Sequence, residues 1–154
     1  MSSRGIECRR LGPQWKDALA DFFRALQEAG DAQQFHPHPL TPEEAEKRAE
    51  YAGSDLYYVL VEGDSVLGYA MLRGWDAGYQ IPSLGIAIHP SARGIGLGKA
   101  FMHFVHAAAR RRGAKKVRLK VYPDNLAAVR LYEQLGYTFQ IEEAGQLVGV
   151  LDLV

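Results

Sequence analysis

The run Arg93-Gly94-Ile95-Gly96-Leu97-Gly98-Lys99 places three glycines between two basic residues. Glycines at that spacing let the backbone take positive φ and approach a ligand closely. A helix that starts there leaves several N–H groups unpaired in its first turn, and its dipole adds partial positive charge. Together these features make an anion cradle suited to a phosphate or pyrophosphate, and Arg93 and Lys99 strengthen it. Further along, Asn125, Ala128, Val129 and Tyr132 recur at i, i+3, i+4 and i+7. One helix face thus carries an amide, a small residue and a phenol. Ala128 is small enough to let a bound molecule lie close. Taken alone, Tyr132 reads as a core aromatic with a satisfied hydroxyl.

The charge distribution points to the same stretch. Eighteen basic residues balance eighteen acidic ones, so net charge alone predicts no polyanionic partner. Yet between Asp76 and Asp124 no acidic residue occurs, while half of all the basic residues lie there: Arg93, Lys99, Arg110, Arg111, Arg112, Lys115, Lys116, Arg118 and Lys120. A one-sign segment in a neutral chain favours an anionic ligand at that end. Arg110–Arg112 by themselves also fit a solvated helix end. Two nucleotide motifs fail in detail. A Walker loop needs glycine where Arg93 stands and Ser or Thr where Ala100 stands, so the hydroxyl that holds Mg²⁺ is missing. A dinucleotide fingerprint needs Gly or Ala at Lys99 or at Phe101, depending on where it begins. Arg-x-x-Gly-x-Gly, in contrast, is satisfied by Arg93, Gly96 and Gly98.

The elements that must position these residues follow from periodicity and from single Gly and Pro residues. Arg4–Leu11 reads as a short first strand. Trp15, Ala18, Leu19, Phe22, Phe23 and Leu26 form a one-faced helix that ends near Gly30, with Pro13 suited to its first turn. Gly30–Leu40 is a loop. Thr41-Pro42-Glu43-Glu44 starts a second helix with a capping box and runs to about Ala52. Leu56–Glu62 and Ser65–Arg73 flank Gly63-Asp64 as an antiparallel hairpin. A third strand spans Gln80–Ile88. The long helix after the glycine turn carries Leu97, Phe101, Phe104, Val105 and Ala108 on its apolar face and stops at Gly113. His103 and His106 are expected to face solvent. Lys116–Tyr122 is a strand, Asn125–Leu135 a helix, and Tyr137–Ile141 and Gln146–Leu153 a terminal strand pair. The order β-α-α-β-β-β-α-β-α-β-β predicts a mixed α/β (α+β) sheet of about seven strands with four helices packed on it. The Gln80–Tyr122 unit is a parallel crossover, expected to be right-handed.

Two segments carry a family resemblance. Ile86-Ala87-Ile88-His89-Pro90-Ser91-Ala92-Arg93-Gly94-Ile95-Gly96-Leu97-Gly98 resembles the strand, pyrophosphate loop and helix start of the GNAT superfamily of acyl-CoA-dependent N-acetyltransferases. Asn125-Leu126-Ala127-Ala128-Val129-Arg130-Leu131-Tyr132-Glu133-Gln134-Leu135-Gly136-Tyr137 resembles that family's second CoA-side helix and following strand. The resemblance implies a mostly antiparallel sheet whose central parallel strands diverge. It implies that acetyl-CoA is the acyl donor and that no metal is needed. Backbone groups of Ile86 and Ile88 would pair with the pantetheine arm, with Ala87 between them in the binding strand, and N–H groups of Arg93, Gly94, Ile95, Gly96, Leu97, Gly98 and Lys99 would hold the pyrophosphate. Asn125 would hydrogen-bond the arm, and Ala128 would let it lie close. With the two motifs in register, Tyr132 would stand near the thioester sulfur as general acid. A backbone N–H between Gly85 and Ile88 would meet the oxyanion.

The general base departs from the family's common pattern. Many relatives carry a Glu in the strand before the pyrophosphate loop, and here Gln80-Ile81-Pro82-Ser83-Leu84 offers no carboxylate. Deprotonation then goes through water held by Ser83 or by carbonyls, or through Asp76, which reads equally as a capping or solvated loop residue. Phe35, His36, Trp75 and Tyr79 are candidates for the acceptor wall, with simple packing as the other reading. The aromatic stretch Gly74–Leu84 suggests a closed pocket. That favours a small-molecule amine, such as an amino sugar, over a peptide or protein amine. His36-Pro37-His38 lacks the partners of a metal site. A nucleic-acid module would interleave aromatics with the basic residues, and this segment does not. No apolar run is long enough to span a bilayer, no secretory leader is visible, and Cys8 is the only cysteine. The expectation is therefore one cytoplasmic domain over residues 1–154, with no membrane or nucleic-acid partner, as a monomer or homodimer.

Overall fold

The computed structural model describes residues 5–154. Its strands are β1 (Ile6–Arg10), β2 (Leu56–Glu62), β3 (Ser65–Arg73), β4 (Ser83–Ile88), β5 (Lys116–Val121), β6 (Thr138–Glu143) and β7 (Gln146–Asp152). Its helices are α1 (Lys16–Glu28), α2 (Pro42–Ala49), α3 (Leu97–Arg112) and α4 (Leu126–Gln134). All seven strands form one sheet in the order β1-β2-β3-β4-β5-β7-β6. Every neighbouring pair is antiparallel except β4 and β5, which are parallel and joined by α3. The expected mixed sheet is therefore present. The first strand begins within the described residues at Ile6, and Arg4 lies outside them.

Strand alternation separates two cores. On β2, Leu56 and Leu60 face one side, while Tyr57, Val59 and Val61 face the other. On β3, Ala70 and Leu72 alternate in the same way with Tyr69 and Met71. The first side is covered by α3 through Phe101, Met102, Val105 and Ala109, with Ala128, Val129 and Tyr132 of α4 packed beside them. The second is covered by α1 through Leu19, Phe22, Phe23 and Leu26, whose spacing puts all four on one stripe. Burying each such side chain contributes roughly 1.5–3 kcal/mol.

Several local expectations change. Pro13 sits in a separate 3-10 turn, Pro13–Trp15, ahead of α1. Another 3-10 turn, Asp31–Gln33, forms inside the expected Gly30–Leu40 loop. The α2 helix stops at Ala49, and only half of its capping box forms. Thr41 Oγ1 accepts from the Glu44 N–H at 3.1 Å, but Glu44 Oε1 is taken by Arg48 Nε at 2.9 Å. The strand expected from Gln80 starts at Ser83, because a turn closed by Tyr79 N–H to the Gly74 carbonyl occupies the residues before it. On α3, Phe104 is largely exposed and Met102 is buried in its place. His106 is also buried, and its Nε2 lies 2.7 Å from Tyr137 Oη. His103 is exposed, as expected. No helix among the described residues is long and apolar enough to cross a membrane.

Candidate active site

The parallel pair β4–β5 is joined only at its start. Ser83 pairs with Arg118, whose N–H reaches the Pro82 carbonyl at 3.0 Å, and beyond that point the strands separate. His89 N–H bonds to Leu67 of β3, so the backbone groups of Ala87 and Gly85 also face β3. Those of Ile86 and Ile88 then face the gap. A free strand edge inside a sheet is an unpaired row of donors and acceptors that an extended molecule can complete.

The gap opens into a cavity of about 530 Å³ that runs through the sheet. Asp31, Gln34 and Phe35 line it on the α1 side, and Asn125, Ala128 and Tyr132 on the α4 side. At one end lies the glycine turn. Gly94 has φ 80° and Gly96 φ 87°, a left-handed backbone that disfavours any side chain. Gly96 is the N-cap of α3, and the first helical acceptor bond recorded at this end is Ala100 N–H to the Gly96 carbonyl at 3.1 Å. The N–H groups of Leu97, Gly98 and Lys99 are left to a ligand. No acidic residue occupies that first turn.

Arg93 does something the sequence did not reveal. Its Nε and Nη2 donate to the Ile88 carbonyl at 3.1 and 2.9 Å, and Nη2 also meets Asp31 Oδ2 at 2.5 Å. Its side chain therefore ties the turn to the end of β4 and to the segment after α1. Asn125 caps α4 by accepting from Ala128 N–H at 3.4 Å, which leaves its Nδ2 without a protein partner among the described residues. Tyr132 lines the cavity beside the Tyr137 ring, with ring centroids 5.8 Å apart. Burial pushes its phenol up to about 12. Its hydroxyl makes no hydrogen bond to the described residues, so the proton remains available to a ligand.

A second, smaller cavity of about 310 Å³ adjoins the first, with Gln34, Phe35, Leu84, Gly85 and Lys120 common to both. His36, Arg73 and Ser83 also line it. His36 Nε2 lies 2.7 Å from Tyr122 Oη, which links the segment after α1 to the end of β5 across the gap.

The sequence-predicted residues thus divide. Ile86, Ala87, Ile88, Arg93, Gly94, Gly96, Leu97, Gly98, Asn125, Ala128 and Tyr132 line the first cavity. Ile95 and Lys99 do not, and the Ile95 side chain points outward at 69% exposure. Phe35, His36 and Ser83 come together at the second cavity. Trp75, Tyr79 and Asp76 are not brought to either. Asp55 Oδ1 accepts from the N–H groups of Gly74, Trp75 and Asp76 at 3.0, 2.9 and 3.3 Å, which pins this turn against the start of β2. Trp75 and Tyr79 line a separate depression, and the Arg112 guanidinium lies 4.7 Å from the Trp75 ring centroid. That depression sits at the far end of the 16-residue α3, roughly 24 Å from the glycine turn. The aromatic residues of Gly74–Leu84 therefore line neither cavity, while Ser83 and Leu84 at its end do. Asp76 is held by the Tyr51 hydroxyl and by Ser54 N–H at 2.7 Å, and these bonds lower its carboxyl below the ordinary value. That is opposite to what a base at neutral pH needs. The residues missed from sequence are Asp31, Gln34 and Arg73, which come from distant segments and carry no motif.

The family model described as the acetyltransferase (GNAT) family matches residues 15–137. A mycothiol acetyltransferase from Geodermatophilus obscurus is 34% identical over 122 residues, which span 70% of this chain and 39% of the relative. This chain thus spans about two fifths of the length of that relative. The GNAT domain of S. lividans PAT superposes with a TM-score of 0.81 at 15% identity, covering 96% of this chain and 90% of the other. The PaiA N-acetyltransferase from Thermoplasma acidophilum, solved in complex with coenzyme A, superposes at 0.79 with 14% identity, covering 96% and 99%. At those identities the likeness is one of fold.

Proposed function

The chain belongs to the GNAT acetyltransferase family, and on that premise we propose that it transfers the acetyl group of acetyl-CoA to the amine of a small molecule bound in the second cavity. The observation that carries this reading is the free β4 edge, which runs from the glycine turn to the junction of two connected cavities. The residues fit the donor. The Ile86 carbonyl and Ile88 N–H offer an extended strand's hydrogen bonds to the amide-bearing pantetheine arm, and Asn125 Nδ2 offers another. The turn from Arg93 to Lys99 offers N–H groups to the pyrophosphate.

At the junction the acceptor nitrogen attacks the thioester carbonyl carbon. The Ile86 N–H, on the free edge, is the donor placed for the oxyanion. When the carbon–sulfur bond breaks, Tyr132 gives its proton to the departing sulfur and later regains one from solvent. Burial keeps this phenol protonated at neutral pH, so its O–H can donate to the sulfur as charge develops there. The nitrogen's own proton leaves through water at Ser83 and His36, which line the acceptor cavity. A small acceptor is favoured because the cavity is concave and roofed by Phe35, His36 and Pro37. The test is calorimetric titration with coenzyme A, followed by thiol release from acetyl-CoA across a panel of small amines and peptides. Heat of binding with amine-dependent thiol release is expected. No heat and no thiol would overturn the reading.

A further inference from the structure

The second cavity carries a charge pattern that the transfer chemistry does not require. Register places Arg73 opposite Ser83, Met71 opposite Gly85 and Tyr69 opposite Ala87, so all of these side chains leave the same face of the sheet as α1. Ser83 pairs with Arg118, and Lys120 follows at the next same-face position of β5. The acceptor floor on β4 is therefore made of Ser83 and Gly85, both small, with Arg73 on one side and Lys120 on the other. No acidic residue lines this cavity.

The two cations are incompletely matched by the protein. Arg73 is half-buried and donates Nη1 to the Pro37 carbonyl at 3.1 Å, and it makes no ion pair with any carboxylate among the described residues. Lys120 and Arg118 share one carboxylate, Glu143, at 3.1 and 3.4 Å. That carboxylate stands on the edge strand β6 and is 44% exposed, where such pairs hold weakly. A guanidinium withdrawn from water with most of its donors unused is costly unless a ligand pairs with it.

We propose that Arg73 and Lys120 form an anion subsite, so that the acceptor is an amine carrying a carboxylate or phosphate group. This rests on the acetyltransferase reading and adds the acceptor's chemical class to it. The amine reaches the junction at Gly85 while the anion lies beside Ser83, two residues back on β4, or roughly 7 Å. A linear ω-amino acid with about four carbons between nitrogen and carboxylate, or an amino sugar phosphate, spans that distance, and a polyamine meets repulsion from both cations.

The experiment uses matched pairs that keep the amine and remove the anion: 5-aminopentanoate against 5-aminopentanamide, and glucosamine 6-phosphate against glucosamine. Coenzyme A binding is measured first by calorimetry, and its absence overturns the family-based reading and this subsite with it. With coenzyme A bound, kcat/KM should favour the anionic member of at least one pair by about tenfold or more. The pair with the larger ratio tells carboxylate from phosphate. That ratio should collapse toward one in Arg73→Gln and in Lys120→Gln, while the KM for acetyl-CoA stays within about twofold in Arg73→Gln, since Arg73 lines only the second cavity. Lys120→Gln, on an exposed strand face, serves alone if Arg73→Gln does not fold. If no amine turns over, equilibrium binding of the same compounds to the coenzyme A complex is scored by the same ratio. Neutral members equal or preferred in both pairs, or a ratio that survives both substitutions, overturns the subsite.

Discussion

Arg93 Nη2 and Asp31 Oδ2 lie 2.5 Å apart, and the same guanidinium holds the Ile88 carbonyl. This contact joins the segment after α1 to the end of β4 and to the glycine turn, so three segments that line the first cavity are tied at one point. The pair is partly exposed, and such pairs contribute about 0.2–1 kcal/mol. Asp31→Asn should therefore weaken coenzyme A binding by up to about fivefold and leave kcat nearly unchanged. Isothermal titration of the variant checks this. An unchanged Kd would show that the turn is ordered without the pair.

Tyr132→Phe removes only the hydroxyl that opens into the first cavity. If that hydroxyl protonates the sulfur, kcat falls by about 10²–10⁴ while the KM for acetyl-CoA changes little. Steady-state kinetics with any accepted amine decides the matter. Unchanged turnover removes Tyr132 from the chemistry.

His106 couples pH to stability. Burial lowers its imidazole to about 4, with Arg110 and His103 adding to the effect. In the unfolded chain the ring titrates near 6.5. Its contribution is thus complete above pH 6.5 and is lost as pH falls from there toward 4, at up to about 1.4 kcal/mol per pH unit. His106→Gln keeps a polar group near Tyr137 and removes the titration. Between about pH 7 and about pH 5, denaturant unfolding should show a smaller loss of stability in the variant than in the parent. Equal losses would place the pH sensitivity elsewhere.

Asp76→Asn tests the base assigned from sequence. The Tyr51 hydroxyl and Ser54 N–H hold this carboxylate at the turn beside β2. The pH–rate profile should be unchanged in the variant. Its lowered pKa means that the ionised form's contribution to stability is present at neutral pH and lost in acid, so the melting temperature should drop at pH 7 and converge with the parent's in acid. A displaced kinetic limb would return Asp76 to the mechanism.

The amino-acid sequence by itself determined the elements and most of the lining of the first cavity, because their signals are local. The alternation of Leu56–Glu62, the stripe of α1 and the glycine turn before α3 each lie within a few consecutive residues, where backbone geometry follows from side-chain type. Asn125 and Tyr132 were legible for the same reason, since one helix turn fixes their shared face. The tertiary structure decided how the second cavity is assembled, including around His36 and Ser83, which the sequence singles out. Arg73, Ser83, Lys120 and His36 come from four separate segments, and strand register is what puts them around one hollow. It also turned Trp75 and Asp76 away, through a buried Asp55 that nothing near them in the chain announces. Contacts between distant segments depend on which strands pair and which side chains share a face, and no local pattern encodes that choice.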